Sequence, residues 1–196
     1  MSKSREQLEV WIKKLDVKAT KCLDVGGSQL NVLGRLGGSK FVEYKILDLE
    51  KPHEDSQAPD IALDLNKKYA MEEWAKYKGY FSVAFCLEVM EYCYNPLQAL
   101  KNIAYFMKKD AKLHISFHFY YPIHKPHGTD MLRYTEFGAK KLLEEAGFDV
   151  HRVEMRVPNV ESAALLESYD EIEGNKRDGE YSRHYTNGYL ITAVKK

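Results

Sequence analysis

The residues best suited to ligand binding or catalysis are acids and glycines that follow short apolar stretches. The segment KCLDVGGSQLN places Gly26 and Gly27 directly after such a stretch. Asp48 closes FVEYKILD 22 residues after Gly26, a spacing typical of an acid that accepts hydrogen bonds from ribose hydroxyls. Asp64 repeats the arrangement in IALDL. One acid can bind a ribose and the other the exocyclic amine of adenine, so the pattern predicts an adenosine site.

The glycine turn differs from that of a dinucleotide-binding domain. A backbone that approaches a ligand closely cannot carry a Cβ there; Gly26 and Gly27 meet this demand, and Ser28 meets it in part. A dinucleotide fingerprint needs glycine at Ser28 and Asn31, and a P-loop needs Gly-Lys-Ser/Thr; neither is present. The turn favours an adenosine cofactor without a pyrophosphate. The alternative is an ordinary tight turn, with Asp48 only capping the next one.

A second group of reactive side chains lies in HFYYPIHKPHGTDMLRY, which contains His118, His124 and His127. Histidine titrates closest to neutral pH, so we predict His124 as a base or a substrate ligand. Asp130 and Arg133 follow, and the guanidinium suits an anionic substrate group. The alternatives are surface histidines and a structural ion pair. We predict no metal site, because the loop lacks a clear third and fourth ligand.

The composition is that of a globular protein. The chain has 196 residues, 44% hydrophobic and 30% charged, with 29 basic and 29 acidic side chains and a net charge of zero. This balance argues against a nucleic-acid partner, and no apolar segment is long enough to span a membrane. Cys22 and Cys86 lie in apolar runs, which predicts core thiols in a reducing compartment. We expect a cytoplasmic protein; the sequence does not indicate an oligomeric state.

The elements that must position these side chains alternate between strands and helices, which predicts a parallel α/β sheet in one domain, 1–196. We predict an N-terminal helix at 1–17, a helix over MEEWAKYKG that ends at Gly79, and an insertion at 158–187 that could cover the site. The last two strands, DVHRVEMRV and GYLITAVKK, lack a full helical crossover and predict an antiparallel edge hairpin. Ligands bind outside the carboxyl ends of such strands, where the acids would meet.

Together these motifs resemble class I S-adenosylmethionine-dependent methyltransferases over roughly residues 18–150. LDVGGS is similar to the glycine motif, YKILDLE to the strand with the ribose acid, and PDIALDLN to the adenine-flanking segment. The likeness is strongest in YFSVAFCLEVMEYCYNPLQALKNIAYFMKKDAKLHIS, where a strand enters an xEVxEH turn and a proline-initiated helix. The Tyr-Pro-x-His loop and Arg-Tyr-Thr resemble a small bacterial subgroup. The chain departs from the family at Ser28, Leu30 and Tyr92, the last in place of the turn's histidine.

The resemblance implies a Rossmann-like fold, with a mostly parallel seven-stranded sheet, an antiparallel edge hairpin and helices on both faces. It implies S-adenosylmethionine as the cofactor and methyl transfer to an oxygen or nitrogen of a small-molecule or sugar-linked acceptor. The implied cofactor-binding residues are Asp24, Gly26, Gly27, Ser28, Asp48, Leu49, Asp64, Leu65, Cys86, Leu87 and Glu88. The catalytic candidates are His124, Asp130 and Arg133. The alternatives are a catalytically degenerate S-adenosylmethionine-binding protein and a nucleotide or NAD enzyme of similar topology.

Overall fold

The computed structural model describes residues 2–18, 20–38, 40–52, 56–69, 72–124, 128–156 and 186–196. Of the insertion predicted at 158–187, only Thr186 and Asn187 lie within these ranges, and His127 lies outside them. Within these ranges, no helix has the length and apolar character needed to cross a membrane.

Seven strands form one mixed sheet. They are β1 (Lys21–Val25), β2 (Glu43–Asp48), β3 (Ile61–Ala62), β4 (Phe81–Cys86), β5 (Met107–His118), β6 (Phe148–Arg156) and β7 (Gly188–Lys195). Their order across the sheet is β3-β2-β1-β4-β5-β7-β6. Strands β1 to β5 pair in parallel, whereas β7 pairs antiparallel with both β5 and β6. The predicted sheet with an antiparallel pair at one edge is confirmed.

Three helices are present in the described part of the chain: α1 (Lys3–Lys14), α2 (Pro96–Phe106) and α3 (Glu136–Glu145). The ends of α3 follow local signals: the Thr135 hydroxyl accepts a hydrogen bond from the Gly138 N–H at 3.1 Å, and Gly147 follows at φ 92°. The helix predicted over MEEWAKYKG is wrong for residues 72–79, which contain only a 3₁₀ turn. Its Trp74 instead packs edge-on against Tyr69, with ring centroids 5.2 Å apart.

The sheet is covered on both faces, because successive side chains of a strand point to opposite sides. On one face, Val83 and Phe85 of β4 join the apolar side chains of α1 in a buried cluster. On the other face, Ala84 and Cys86 join those of α2 and α3. Helices on both faces are thus confirmed. The parallel strands β1, β2, β4 and β5 end at the same edge of the sheet, and their carboxyl ends supply the residues described next.

Candidate functional site

A cleft of about 870 Å³ lies at the carboxyl ends of the parallel strands. That is within the roughly 300–1,000 Å³ range of small-molecule sites, at the place where an open α/β sheet binds ligands. The predicted site residues on its wall are Gly26, Asp48, Leu49, Asp64, Leu65, Glu88 and His124. Tyr92 and Tyr121 line it as well. Asp48 and Asp64, at the carboxyl ends of β2 and β3, thus share one cavity with Glu88 and His124, which follow β4 and β5.

Asp48, the last residue of β2, faces the cleft with a carboxylate that backbone donors already hold. Its Oδ2 accepts a hydrogen bond from the Ser28 N–H at 3.2 Å, and its Oδ1 accepts one from the Leu49 N–H at 2.8 Å. A carboxylate oxygen has a second lone pair, so each can still accept from a ligand. The Ser28 bond also ties the glycine turn to the end of β2.

Asp64 lies two residues beyond β3, in an Asx turn. Its Oδ1 accepts from the backbone and side-chain nitrogens of Asn66 at 3.0 and 3.1 Å, and its Oδ2 lies 3.5 Å from Lys67 Nζ. The register of β2 and β3 pairs Asp48 with Ala62. The two acids therefore stand at neighbouring strand ends and line the same cleft, as the sequence pattern predicted.

The two glycines of the turn are required by the protein's own packing. Gly26 has φ 75°, and a Cβ there would lie 2.4 Å from Val89 Cγ2. A Cβ on Gly27 would lie 2.5 Å from Asp24 Oδ2. Gly26 lines the cleft, whereas Gly27 packs over Asp24 beneath it.

Asp24 is buried beneath the glycine turn rather than exposed in the cleft. Its Oδ2 accepts hydrogen bonds from the Val32 N–H at 2.7 Å and from the Tyr44 hydroxyl. Burial raises the pKa of Asp24 to about 6, although these hydrogen bonds favour the ionised form. The carboxyl group thus links strand β2 to the loop that follows β1.

At the other end of the cleft, Glu88 follows β4 in a left-handed conformation, with φ 58°. Non-glycine residues rarely adopt it, and they do so where surrounding contacts hold them. Here the Ser116 hydroxyl accepts from the Glu88 N–H at 2.7 Å and donates to Oε1 at 2.8 Å. Arg156, fully buried at the end of β6, donates to Oε1 at 2.7 Å and to Oε2 at 3.3 Å.

Glu88 belongs to a group of four titratable residues that we call the Glu–His cluster: Glu88, Glu91, His118 and His124. His118 Nε2 lies 3.2 Å from Glu88 Oε2 and 3.1 Å from Glu91 Oε1. His124 Nδ1 lies 3.5 Å from Glu91 Oε1. Glu91 and His118 are buried behind the cleft wall, and His124 lies on it.

Charge within the Glu–His cluster is balanced by His118 together with the neighbouring Arg156. Burial would lower the pKa of His118, but contacts with Glu88 and Glu91 outweigh it and raise the pKa to about 9. Burial would raise the pKa of both carboxyl groups, yet contacts with His118 and Arg156 lower the pKa of Glu88, and contacts with His118 and His124 lower that of Glu91. A protonated His118 and Arg156 thus neutralise the two carboxylates.

Asp130 and Arg133 hold the loop that carries His124, and neither of them lines the cleft. Asp130 accepts from the His124 N–H at 2.7 Å, and it pairs with the Arg133 guanidinium. Arg133 also donates to the carbonyl oxygens of Tyr121 and Pro122, at 3.2 and 3.1 Å. Their predicted contact with substrate stays a prediction, and the structure shows both residues fixing the position of His124.

The other predicted residues surround the cleft without lining it. Cys86 is fully buried in the core, Leu87 packs with the α1 cluster, and Ser28 is buried, with its N–H bonded to Asp48 and its carbonyl oxygen to the Gln57 N–H. Sequence reasoning missed Arg156, which no motif marks, and gave Glu91 no role. The acid of the xEVxEH turn could have identified Glu91, because that turn follows a strand whose end faces the cleft.

No protein-family model matches the chain, and no curated protein does. Solved structures do match its fold. A Bacillus halodurans protein described as a methyltransferase is 15% identical, with a TM-score of 0.62, over 96% of this chain and 97% of that one. The 1,6-didemethyltoxoflavin-N1-methyltransferase of Burkholderia thailandensis, solved with 1,6-didemethyltoxoflavin and S-adenosylhomocysteine, is 15% identical, with a TM-score of 0.60, over 98% and 78%.

The same fold also occurs in a protein with a different activity. The [4+2]-cyclase SpnF is 15% identical, with a TM-score of 0.53, over 98% of this chain and 80% of that one. At such identities the matches show the fold alone. The chain therefore has the Rossmann-like fold found in S-adenosylmethionine-dependent methyltransferases, and its activity has to be argued from its own site.

Proposed function

We propose that the protein is an S-adenosylmethionine-dependent methyltransferase that methylates an oxygen or nitrogen of a small-molecule or sugar-linked acceptor. The observation that carries the proposal is one continuous cleft with two different ends. Asp48 and Asp64 provide carboxylates at one end, and Glu88 and His124 provide polar groups at the other. A nucleoside suits the first end, and an acceptor suits the second.

The residues at the first end fit an adenosine group. Asp48 keeps lone pairs on both oxygens for ribose hydroxyls, and Asp64 keeps lone pairs for an amine. Leu49 and Leu65 add apolar surface to the same wall, which suits the faces of a base. Gly26 adds a stretch of wall without a side chain. When bound, S-adenosylmethionine supplies an electrophilic methyl group on a sulfonium, whose departure leaves a neutral thioether.

The task of the chain's own residues is then to hold the acceptor and manage its proton. A neutral leaving group needs no acid, so alignment of the acceptor contributes most. A hydroxyl or ammonium acceptor must also lose a proton. His124 lies on the cleft wall near the rings of Tyr92 and Tyr121, with centroids 6.3 and 4.7 Å away. We expect His124 to contact the acceptor, as a base or as a ligand.

The structural neighbours support this proposal at the level of the fold, and one of them is a methyltransferase bound to a small organic acceptor. The second candidate is a protein that binds S-adenosylmethionine without transferring the methyl group. Ser28 and Leu30 in the glycine motif favour it, as does Tyr92 in place of the turn's histidine.

Calorimetry of the purified chain with S-adenosylmethionine, S-adenosylhomocysteine and NAD tests the proposal. We expect micromolar binding of the first two and none of NAD. Formation of S-adenosylhomocysteine is then followed with a panel of small hydroxyl and amine acceptors, including glycosides. Binding without turnover on any acceptor supports the second candidate. Binding of NAD alone would contradict both.

A further inference from the structure

The Glu–His cluster contains buried polar atoms that form no hydrogen bond with any of the described residues. Both carboxylate oxygens of Glu91 and both ring nitrogens of His118 lack a hydrogen-bond partner, although the two residues are only 0% and 1% exposed. Buried polar atoms in native proteins nearly always have a partner, and an unpartnered group calls for an explanation such as a bound water or ion. Burying a carboxylate is costly unless a cation compensates for it, and a metal ion on His118 Nε2 would take the place of the proton that otherwise balances Glu91.

Protons alone do not account for the contacts around His118. Its Nε2 can carry one proton, yet Glu88 Oε2 and Glu91 Oε1 approach it at 3.2 and 3.1 Å. Neither contact has the geometry of a hydrogen bond. Two carboxylate oxygens therefore compete for one N–H, and the imidazole of His124 lies beside them.

The distances do match those between ligands of one metal ion. With Zn–N and Zn–O bonds of about 2.0–2.2 Å in a tetrahedral site, two ligand atoms are roughly 3.3 Å apart. In the structure, Glu91 Oε1 lies 3.1 Å from His118 Nε2 and 3.5 Å from His124 Nδ1. The candidate ligand atoms of the three residues all lie within 4.8 Å of one another.

We propose that Glu91, His118 and His124 bind a divalent first-row transition-metal ion, with Zn²⁺ as the best fit. Two imidazoles and one carboxylate are a donor set for Zn²⁺ or Fe²⁺ rather than for Mg²⁺ or Ca²⁺, which prefer oxygen. Three protein ligands also leave a coordination position open, as in catalytic zinc sites. This site was not expected from the loop sequence, because Glu91 comes from the turn after β4 and His118 from the end of β5.

The consequence for catalysis rests on the proposed function. An acceptor hydroxyl bound at the open position would lose its proton to solvent more readily, because a cation stabilises the oxyanion. Its oxygen would then form the bond to the methyl carbon as the carbon–sulfur bond breaks, with that electron pair remaining on sulfur. His124 would act as a ligand to the ion in this case, and Glu88, held by Arg156, would remain a neighbouring anion.

Metal binding is measured on the full chain after treatment with a chelator. Zn²⁺ is titrated in competition with a chromophoric chelator, and Co²⁺ is added separately to record its visible absorption bands. We expect one site per wild-type chain, weakened at least tenfold in Glu91→Gln and in His124→Gln. His151→Gln is the matched control, because His151 is exposed on β6 and away from the cluster. Thermal unfolding confirms that each variant is folded.

The inference is overturned if the wild type binds no Zn²⁺, or if Glu91→Gln and His124→Gln both bind it as tightly as the wild type does. Calorimetry with S-adenosylmethionine in the presence of chelator separates this result from a failure of the proposed function. Cofactor binding without metal binding removes only the metal site. Metal binding without cofactor binding leaves the metal site in place and removes the methyltransferase proposal.

Discussion

The two ends of the cleft are held together in different ways. At the end proposed to bind the nucleoside, which Asp48 and Asp64 form and which we call the nucleoside end, backbone N–H groups hold the carboxylates: those of Leu49 and Ser28 for Asp48, and that of Asn66 for Asp64. At the acceptor end, the Glu–His cluster joins β4, β5, β6 and the loop after β5 through buried charges. The nucleoside end depends on neutral backbone donors, most of them in local turns, and the acceptor end depends on buried charges from residues far apart in the chain.

This difference explains which end is more sensitive to change. A carboxylate in a local turn keeps water and backbone donors nearby, so its neighbours can be replaced at small cost. A buried carboxylate that loses its cation has no such substitute, because the desolvation cost remains while the compensating charge is gone. Four variants test this difference between the two ends.

The largest effect is expected for Arg156→Met. The substitution removes the buried guanidinium that pairs with the half-buried Glu88 carboxylate, which should lower the free energy of unfolding by about 3–5 kcal/mol. Urea denaturation measures it. Arg152→Met on the same strand is the control: its side chain is 70% exposed, and its pair with Glu154 should contribute about 0–1 kcal/mol. Equal losses in the two variants would mean that the acceptor end has no special dependence on buried charge.

A pH-dependent effect is expected for Asp24→Asn, beneath the nucleoside end. The pKa of Asp24 is about 6 in the folded protein, against an ordinary value of 3.8. The folded state thus binds a proton more tightly, and this stabilisation is present below about pH 4 and lost as the pH rises through 6. From pH 4 to 7, the stability of Asp24→Asn relative to wild type should rise by up to about 3 kcal/mol.

Denaturation of both proteins across this range, in the presence of chelator, provides the measurement. Comparing the two cancels the titration of the other carboxyl groups. A difference that stays constant with pH would show that Asp24 ionises in the folded protein as it does in the unfolded chain.

A smaller change, in binding rather than stability, is expected for Asp48→Asn. Loss of a charged acceptor for ribose hydroxyls should weaken S-adenosylmethionine binding by about 10- to 100-fold. Asp60→Asn is the control, because Asp60 lies outside the cleft wall and pairs with Lys45 at 2.9 Å. If calorimetry gives both variants the same affinity, the nucleoside does not bind beside Asp48.

The smallest effect is expected for the affinity of Glu91→Gln for S-adenosylmethionine, which should differ from that of the wild type by less than about threefold. Glu91 lies behind the acceptor end, where its ion-pair partners are His118 and His124 rather than Asp48 or Asp64. A loss as large as that of Asp48→Asn would show that the two ends are not independent.

The parts of the fold that were predicted correctly rest on local signals. Thr135 and Gly147 mark the ends of α3, and the apolar runs of β1 and β4 mark buried strands. The two acids were also predictable, because parallel strands bring their carboxyl ends to one edge. The failed helix at 72–79 shows the limit: aromatic contacts such as that of Trp74 with Tyr69 overrode helical propensity.

The acceptor end was harder to predict because its partners are distant in sequence. Arg156 reaches Glu88 across 68 positions, and no spacing rule connects them. His118 and His124 were noticed as a histidine group, but Glu91, which joins them, comes from the preceding strand and turn. The family resemblance implied that Asp24 binds the cofactor. Its burial beneath Gly27 instead follows from packing that no motif encodes.

The most direct test is a crystal structure of the protein with S-adenosylhomocysteine. The account predicts ribose hydroxyls within hydrogen-bonding distance of the Asp48 carboxylate, adenine beside Asp64 and Leu65, and the sulfur directed towards Glu88 and His124. A nucleoside bound elsewhere, with solvent or side chains between Asp48 and Asp64, would contradict it.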